Sequence, residues 1–78
     1  MVGYTIVLET EEEGGIVVSV PALPGCFSQG ESRDEALQNA REAIAVYLDE
    51  LRARGEELPR EVRTETQFLE IPELEYGT

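Results

Sequence analysis

Residues 32–55 constrain this chain more than any other stretch, because the sequence marks both ends of a single amphipathic helix there. Ser32-Arg33-Asp34-Glu35 has the S-x-x-E form of a capping box: the Ser32 hydroxyl accepts from the Glu35 amide, and the Glu35 carboxylate reaches back to the Ser32 amide. Leu37, Ala40, Ile44, Tyr47, Leu48 and Leu51 recur at steps of three and four, with Ala36 and Ala43 beside them. Arg33, Asp34, Arg41, Glu42, Asp49 and Glu50 fall mostly on the other side. Asp34 and Glu35 sit at the positive end of the helix dipole and Arg52 and Arg54 at the negative end, each favourable by ~0.3–1 kcal/mol before salt screening. Gly55 is the natural C-cap. Such a helix needs a surface on which to bury its apolar stripe, and the preceding residues must supply it.

Residues 3–9 alternate, with Tyr4, Ile6 and Leu8 on one side and Thr5, Val7 and Glu9 on the other, which predicts a strand. Glu11-Glu12-Glu13-Gly14-Gly15 makes a reversal, and residues 16–20 make the return strand. Pro21-Ala22-Leu23-Pro24-Gly25 cannot sit inside a ladder, because its prolines lack amide donors and Pro-Gly favours a tight turn. Residues 26–29 then read as a short third strand closed by Gly30. After the helix, a last strand is expected between Val62 and Ile71, ended by Pro72, with residues 73–78 as a frayed tail. The expected fold is a two-layer α+β unit, strand-strand-strand-helix-strand. A right-handed crossover lays the last strand parallel to the first, giving a mixed four-stranded sheet of order 3-2-1-4 with one helix on one face.

Seventy-eight residues allow one domain, taken as residues 1–78, and folding buries only about 60% of the surface the unfolded chain exposes. Stability without disulfides therefore calls for efficient packing or association. With 17 acidic and 6 basic residues the net charge is -11, a field that repels phosphates and attracts basic proteins, so autonomous nucleic-acid binding is not expected. All six basic residues are arginines and there is no histidine, which removes Schiff-base, P-loop and imidazole chemistry. Cys26 alone can build neither an internal disulfide nor a CxxC site, which fits a reducing cytoplasm. No run reaches membrane-spanning length, and the amino terminus turns acidic too early for a signal peptide.

The segment PALPGCFSQGESRDEALQNAREAI is more specific. Its Leu-Pro-Gly-Cys, the glycine four residues after that cysteine, and the capped Glu-Ala helix containing an asparagine resemble the HicB-like antitoxin family of bacteria. Tyr4, the acidic-Gly-Gly turn and the Tyr47-Leu48 pair also match, so the likeness covers roughly residues 3–59 and, more loosely, the final strand. The resemblance implies a fold like a truncated ribonuclease H and a role as antitoxin. It implies as partner a small basic HicA-type toxin that cleaves messenger RNA with a histidine, bound so that its RNA-binding and catalytic surface is covered. Longer members append a DNA-binding helix-turn-helix or ribbon-helix-helix; only seven residues follow Ile71, so no DNA-binding domain is expected.

The residues expected to touch a partner are Pro21, Leu23, Pro24 and Gly25 of the loop and Glu42, Asp49 and Glu50 of the acidic helix face. Ser32, Glu35 and Gly55 are read as structural, and Cys26 as a buried small hydrophobe, since no histidine is present to activate its thiol. No cofactor, no metal and no enzymatic activity are expected. A metal-dependent nuclease would need carboxylates converging on two magnesium ions, and the candidates are Glu9, Glu35, Glu42 and Glu70. Glu35 is occupied by the cap, and no strand carries an aspartate. The remaining alternative is a stand-alone dimeric module with another protein or a small molecule as partner. A homodimer or higher homo-oligomer is expected in each case, because one helix leaves a sheet face open at Val7, Val17, Thr5 and Ser19, and because the third and last strands offer bare edges.

Overall fold

The computed structural model describes residues 1–73. Three strands, β1 (Val7–Thr10), β2 (Ile16–Ser19) and β3 (Phe27–Gly30), precede one helix, α1 (Arg33–Ala53). The sheet is antiparallel throughout in the order β1-β2-β3, with Leu8 opposite Val18 and Val18 opposite Ser28. No helix among the described residues is long and apolar enough to cross a membrane.

This corrects the expected sheet. There are three antiparallel strands rather than a mixed four-stranded sheet of order 3-2-1-4, and the described residues after α1 form no strand. Just ahead of β1 the returning chain is held by side chains, and the one backbone donor involved is the Thr5 amide. The Tyr4 hydroxyl donates to the Pro59 carbonyl at 2.6 Å, the Thr5 amide donates to the Glu61 carboxylate at 2.7 Å, and the Thr5 hydroxyl also donates to that carboxylate. Pro59 has no amide to offer in return. Side-chain clips thus replace backbone pairing, and residues 60–73 run on exposed to solvent. Most of the proposed frayed tail lies outside the described residues.

β1 is also shorter than the expected strand at residues 3–9. Val7 is opposite Ser19, so Thr5 would have to pair at Pro21, where the partner chain has already turned. Two successive turns carry it away: the Leu23 amide donates to the Val20 carbonyl at 2.9 Å, and the Cys26 amide to the Leu23 carbonyl at 3.0 Å. The second has proline followed by glycine at its centre, with Gly25 at φ 83°, the positive value a type II turn requires there.

Ile6, Leu8, Ile16 and Val18 meet Ala36 and Ala40 of the helix, whose small side chains let α1 approach the sheet closely. A second cluster joins Val20, Leu23 and Cys26 to Leu48 and Leu51, with Leu58 packed against it from beyond the helix. Leu23 and Val18 are the largest fully buried side chains. α1 lies chiefly against β3 and less against β2. Gly30 makes this approach possible: a Cβ there would stand 2.5 Å from the Ala36 nitrogen and 2.8 Å from its Cα.

The helix ends are closed by named bonds. Ser32 is the N-cap, and its hydroxyl accepts from the Glu35 amide at 3.2 Å. The reciprocal half differs from the expected capping box, because the Glu35 carboxylate accepts from the Glu31 amide at 2.5 Å rather than from Ser32. At the other end Arg54 is the C-cap and Gly55, at φ 72°, follows it in the left-handed region. The Gly55 amide donates to the Arg52 carbonyl at 3.0 Å and the Glu56 amide to the Leu51 carbonyl at 2.9 Å, the paired bonds of a Schellman motif.

Candidate functional site

Pro24 and Gly25 carry the chain over the end of α1 onto β3, and Tyr47 fixes that loop by donating its hydroxyl proton to the Pro24 carbonyl at 2.9 Å. Farther along, the Asn39 amide donates to the Gln29 carbonyl at 2.8 Å, tying the outer edge of β3 to the helix. Between these two ties lies an open groove of about 660 Å³. Its floor is Cys26 and Ala43, and Phe27 and Val46 stand out at 65% and 64% exposure. Glu42 and Glu50, two turns apart on one helix face, rim it, and no arginine lines it. The groove is therefore apolar inside and anionic at its edge.

The structure gathers part of the expected partner-binding set here and disperses the rest. Gly25, Glu42 and Glu50 line the groove, and Pro24 adjoins it through Tyr47. Leu23 is fully buried in the core, so it shapes the loop from below, and Pro21 is exposed but not part of the lining. Asp49 is paired at the surface with Arg52 at 3.3 Å and does not line the groove either. Sequence reasoning missed Phe27, Val46 and Asn39. Val46 breaks the polar character of its helix face, a signal present in the sequence, whereas the exposure of Phe27 depends on which sheet face the helix covers.

Cys26 forms part of the core, and burial pushes its thiol above the usual range. That makes the thiolate scarcer, opposite to what a nucleophile requires. Glu61 moves the other way: its hydrogen bond from the Thr5 hydroxyl holds the carboxyl below its ordinary value. The four carboxylates considered for magnesium are spread apart in the fold, with Glu9 in β1, Glu35 at the cap, Glu42 in mid-helix and Glu70 beyond α1. No group of three or more possible metal-ligating side chains occurs among the described residues.

A family model described as a HicB-like antitoxin of a bacterial toxin-antitoxin system matches residues 4–77. The chain belongs to the HicB-like antitoxin family. A UPF0150 protein of Thermoplasma acidophilum is 48% identical over 58 residues, covering 74% of this chain and 84% of the relative. The antitoxin HicB 1 of Photorhabdus laumondii is 32% identical over 69 residues, 88% of this chain but 44% of that longer protein. The crystal structure of the N-terminal domain of the Burkholderia pseudomallei antitoxin HicB is similar with a TM-score of 0.62 at 30% identity, covering 90% of this chain and 73% of that one. Family membership thus agrees with the resemblance carried by the Leu-Pro-Gly-Cys loop and the capped helix.

Proposed function

We propose that this HicB-like chain is an antitoxin that binds a small basic HicA-type ribonuclease toxin in the cytoplasm and covers its active surface, acting by binding rather than by turnover. The observation that carries the reading is the groove between β3 and α1, in which Phe27 and Val46 are exposed between Glu42 and Glu50. An aromatic and an aliphatic anchor inside an anionic rim suit a cationic protein surface, with the apolar pair giving residence time and the carboxylates giving approach rate and orientation. The net charge of -11 extends the attraction beyond the groove, while the same charge disfavours direct binding to RNA or DNA. Self-association with a second copy is the other part of the reading, because a chain of this size has a small core and several large apolar side chains exposed.

The test is co-expression with a HicA-type toxin from the same genome, followed by growth and binding measurements. The chain is expected to restore growth, with binding that weakens as salt rises. Phe27→Asp combined with Glu42→Gln and Glu50→Gln is expected to lose rescue, whereas Asp49→Asn, outside the groove, retains it. Full rescue and undiminished affinity in the triple variant would overturn the assignment of this groove.

A further inference from the structure

A second feature lies on the opposite side of α1 from the β3 groove. Beyond Pro59 the described chain has no helix or strand bonding, and it carries Phe68, Leu69 and Ile71 at 82%, 69% and 68% exposure. The molecule is correspondingly drawn out, 52 Å long against 27 and 21 Å across. Its Cα radius of gyration is 16.2 Å, where a compact chain of this length has about 11–12 Å. Large apolar side chains on an extended arm are costly in water and need a surface to cover them.

That surface has a specific counterpart on the body. Val2, Gly3 and Tyr4 of the amino-terminal segment and Arg41, Ile44 and Leu48 of α1 border a groove of about 400 Å³. It continues past Ile6 and Leu37 into a further hollow of about 160 Å³. Arg41 is the one charged side chain lining either part, and the ion pairs among the described residues, Arg52–Asp49 and Arg54–Glu56, do not involve it.

We propose that residues 60–73 of one copy lie along the Arg41 groove of a second copy, and that the second copy's arm does the same in return. The inference rests on the self-association part of the reading above and specifies what carries it. Chemistry selects this groove over the other: the two arginines of the arm, Arg60 and Arg63, lie at its root, while its distal part interleaves Phe68, Leu69 and Ile71 with Glu65, Glu70 and Glu73, matching an apolar channel with a lone arginine, and the β3 groove with Glu42 and Glu50 repels that part. Length permits it, since the dozen residues 60–71 span roughly 40 Å when extended and a helix of 21 residues is about 31 Å long. Position permits it as well. The bonds from Tyr4 to Pro59 and from Thr5 to Glu61 release the arm beside the mouth of this groove. A two-fold axis near that edge therefore brings each arm to the other copy's channel, and every contact occurs twice. A buried phenylalanine alone removes on the order of 150–250 Å². From Phe68 alone the two arms contribute roughly 300–500 Å², before Leu69, Ile71 and the groove walls are counted, toward the ~1,600 Å² of a standard stable interface.

The experiment is sedimentation equilibrium of the full chain at micromolar concentration, with no toxin present, alongside circular dichroism of the helix. A species of twice the 8.7 kDa chain mass is expected. Phe68→Asp with Ile71→Asp should weaken the dimer about thirtyfold or more, the effect of losing a buried anchor, without loss of helix signal, because neither side chain packs in the core. Arg41→Glu should weaken it too, and adding Glu65→Arg and Glu70→Arg to that variant should restore it. A monomeric wild-type chain would overturn both this inference and self-association itself. A dimer unaffected by the arm substitutions but lost in Phe27→Asp would overturn the arm while leaving self-association standing, and failure of the charge reversal to restore the dimer would remove Arg41 from the interface.

Discussion

Replacing Gly30 by alanine tests the closest approach in this fold. The added Cβ would meet the Ala36 nitrogen at 2.5 Å, the Ala36 Cα at 2.8 Å and the Glu35 carbonyl carbon at 2.9 Å, all of them backbone atoms in the first turn of α1. No side-chain rotation can relieve such a contact, so β3 and the helix must separate by roughly half an ångström to one ångström. Inserting a methyl group into a well-packed place typically costs about 1–3 kcal/mol. The loss of unfolded-state freedom on changing glycine to alanine returns only about 0.4–1 kcal/mol. A net destabilisation of about 1–2 kcal/mol is expected, which in a chain of this size lowers the melting temperature by roughly 4–16 °C. Thermal unfolding at matched protein concentration measures it, with Gly15→Ala as control because a Cβ there meets only ordinary contacts, 3.5 Å to a Glu11 carboxylate oxygen and 3.9 Å to the Gly30 carbonyl oxygen. The separation also opens the helix away from β3, so affinity for the proposed partner should fall with stability. A Gly30→Ala protein as stable as the wild type would refute the reasoning, since it would mean that the strand and the helix are not held at this distance.

Ser32→Ala removes the acceptor for the Glu35 amide and should cost about 0.5–2 kcal/mol, measurable by urea unfolding. Tyr47→Phe keeps the ring in place and deletes the bond to the Pro24 carbonyl; a loss of about 0.5–1.5 kcal/mol is expected, together with a faster off-rate for the proposed partner as the loop beside Gly25 loosens. The Cys26 thiol should react with a disulfide reagent far more slowly in the folded chain than after unfolding. Because burial raises its pKa in the folded state, its contribution to stability is complete below the ordinary thiol range and declines as pH rises through it. Cys26→Ala should abolish that part of the alkaline decline. The Thr5–Glu61 clip has the opposite sign: Glu61 titrates below its ordinary value, so the clip holds above the usual carboxylate range and is released on acidification, which the chemical shift of the Thr5 amide would report.

The helix and the turns were legible in the residues because their signals are local. Ser32 three residues before Glu35, the spacing of Leu37, Ala40, Ile44, Leu48 and Leu51, and Gly55 at the end each act within one or two turns of chain, whatever surrounds them. The Leu-Pro-Gly-Cys loop is local in the same sense, and with the capped helix it was enough to carry the family resemblance. Tertiary structure decided what depends on distant partners. Whether residues 62–71 become a strand depends on how the chain returns from the helix: Pro59 and Glu61 are tied to Tyr4 and Thr5, and the described residues beyond them do not pair with the outer edge of β1. Which candidate residues share a site depends on where α1 crosses the sheet: that crossing puts Glu42 and Glu50 opposite Gly25 and Phe27, and leaves Asp49 at the surface with Arg52. The need for glycine at position 30 arises the same way, because a strand end and a helix start press together only after both have formed and packed.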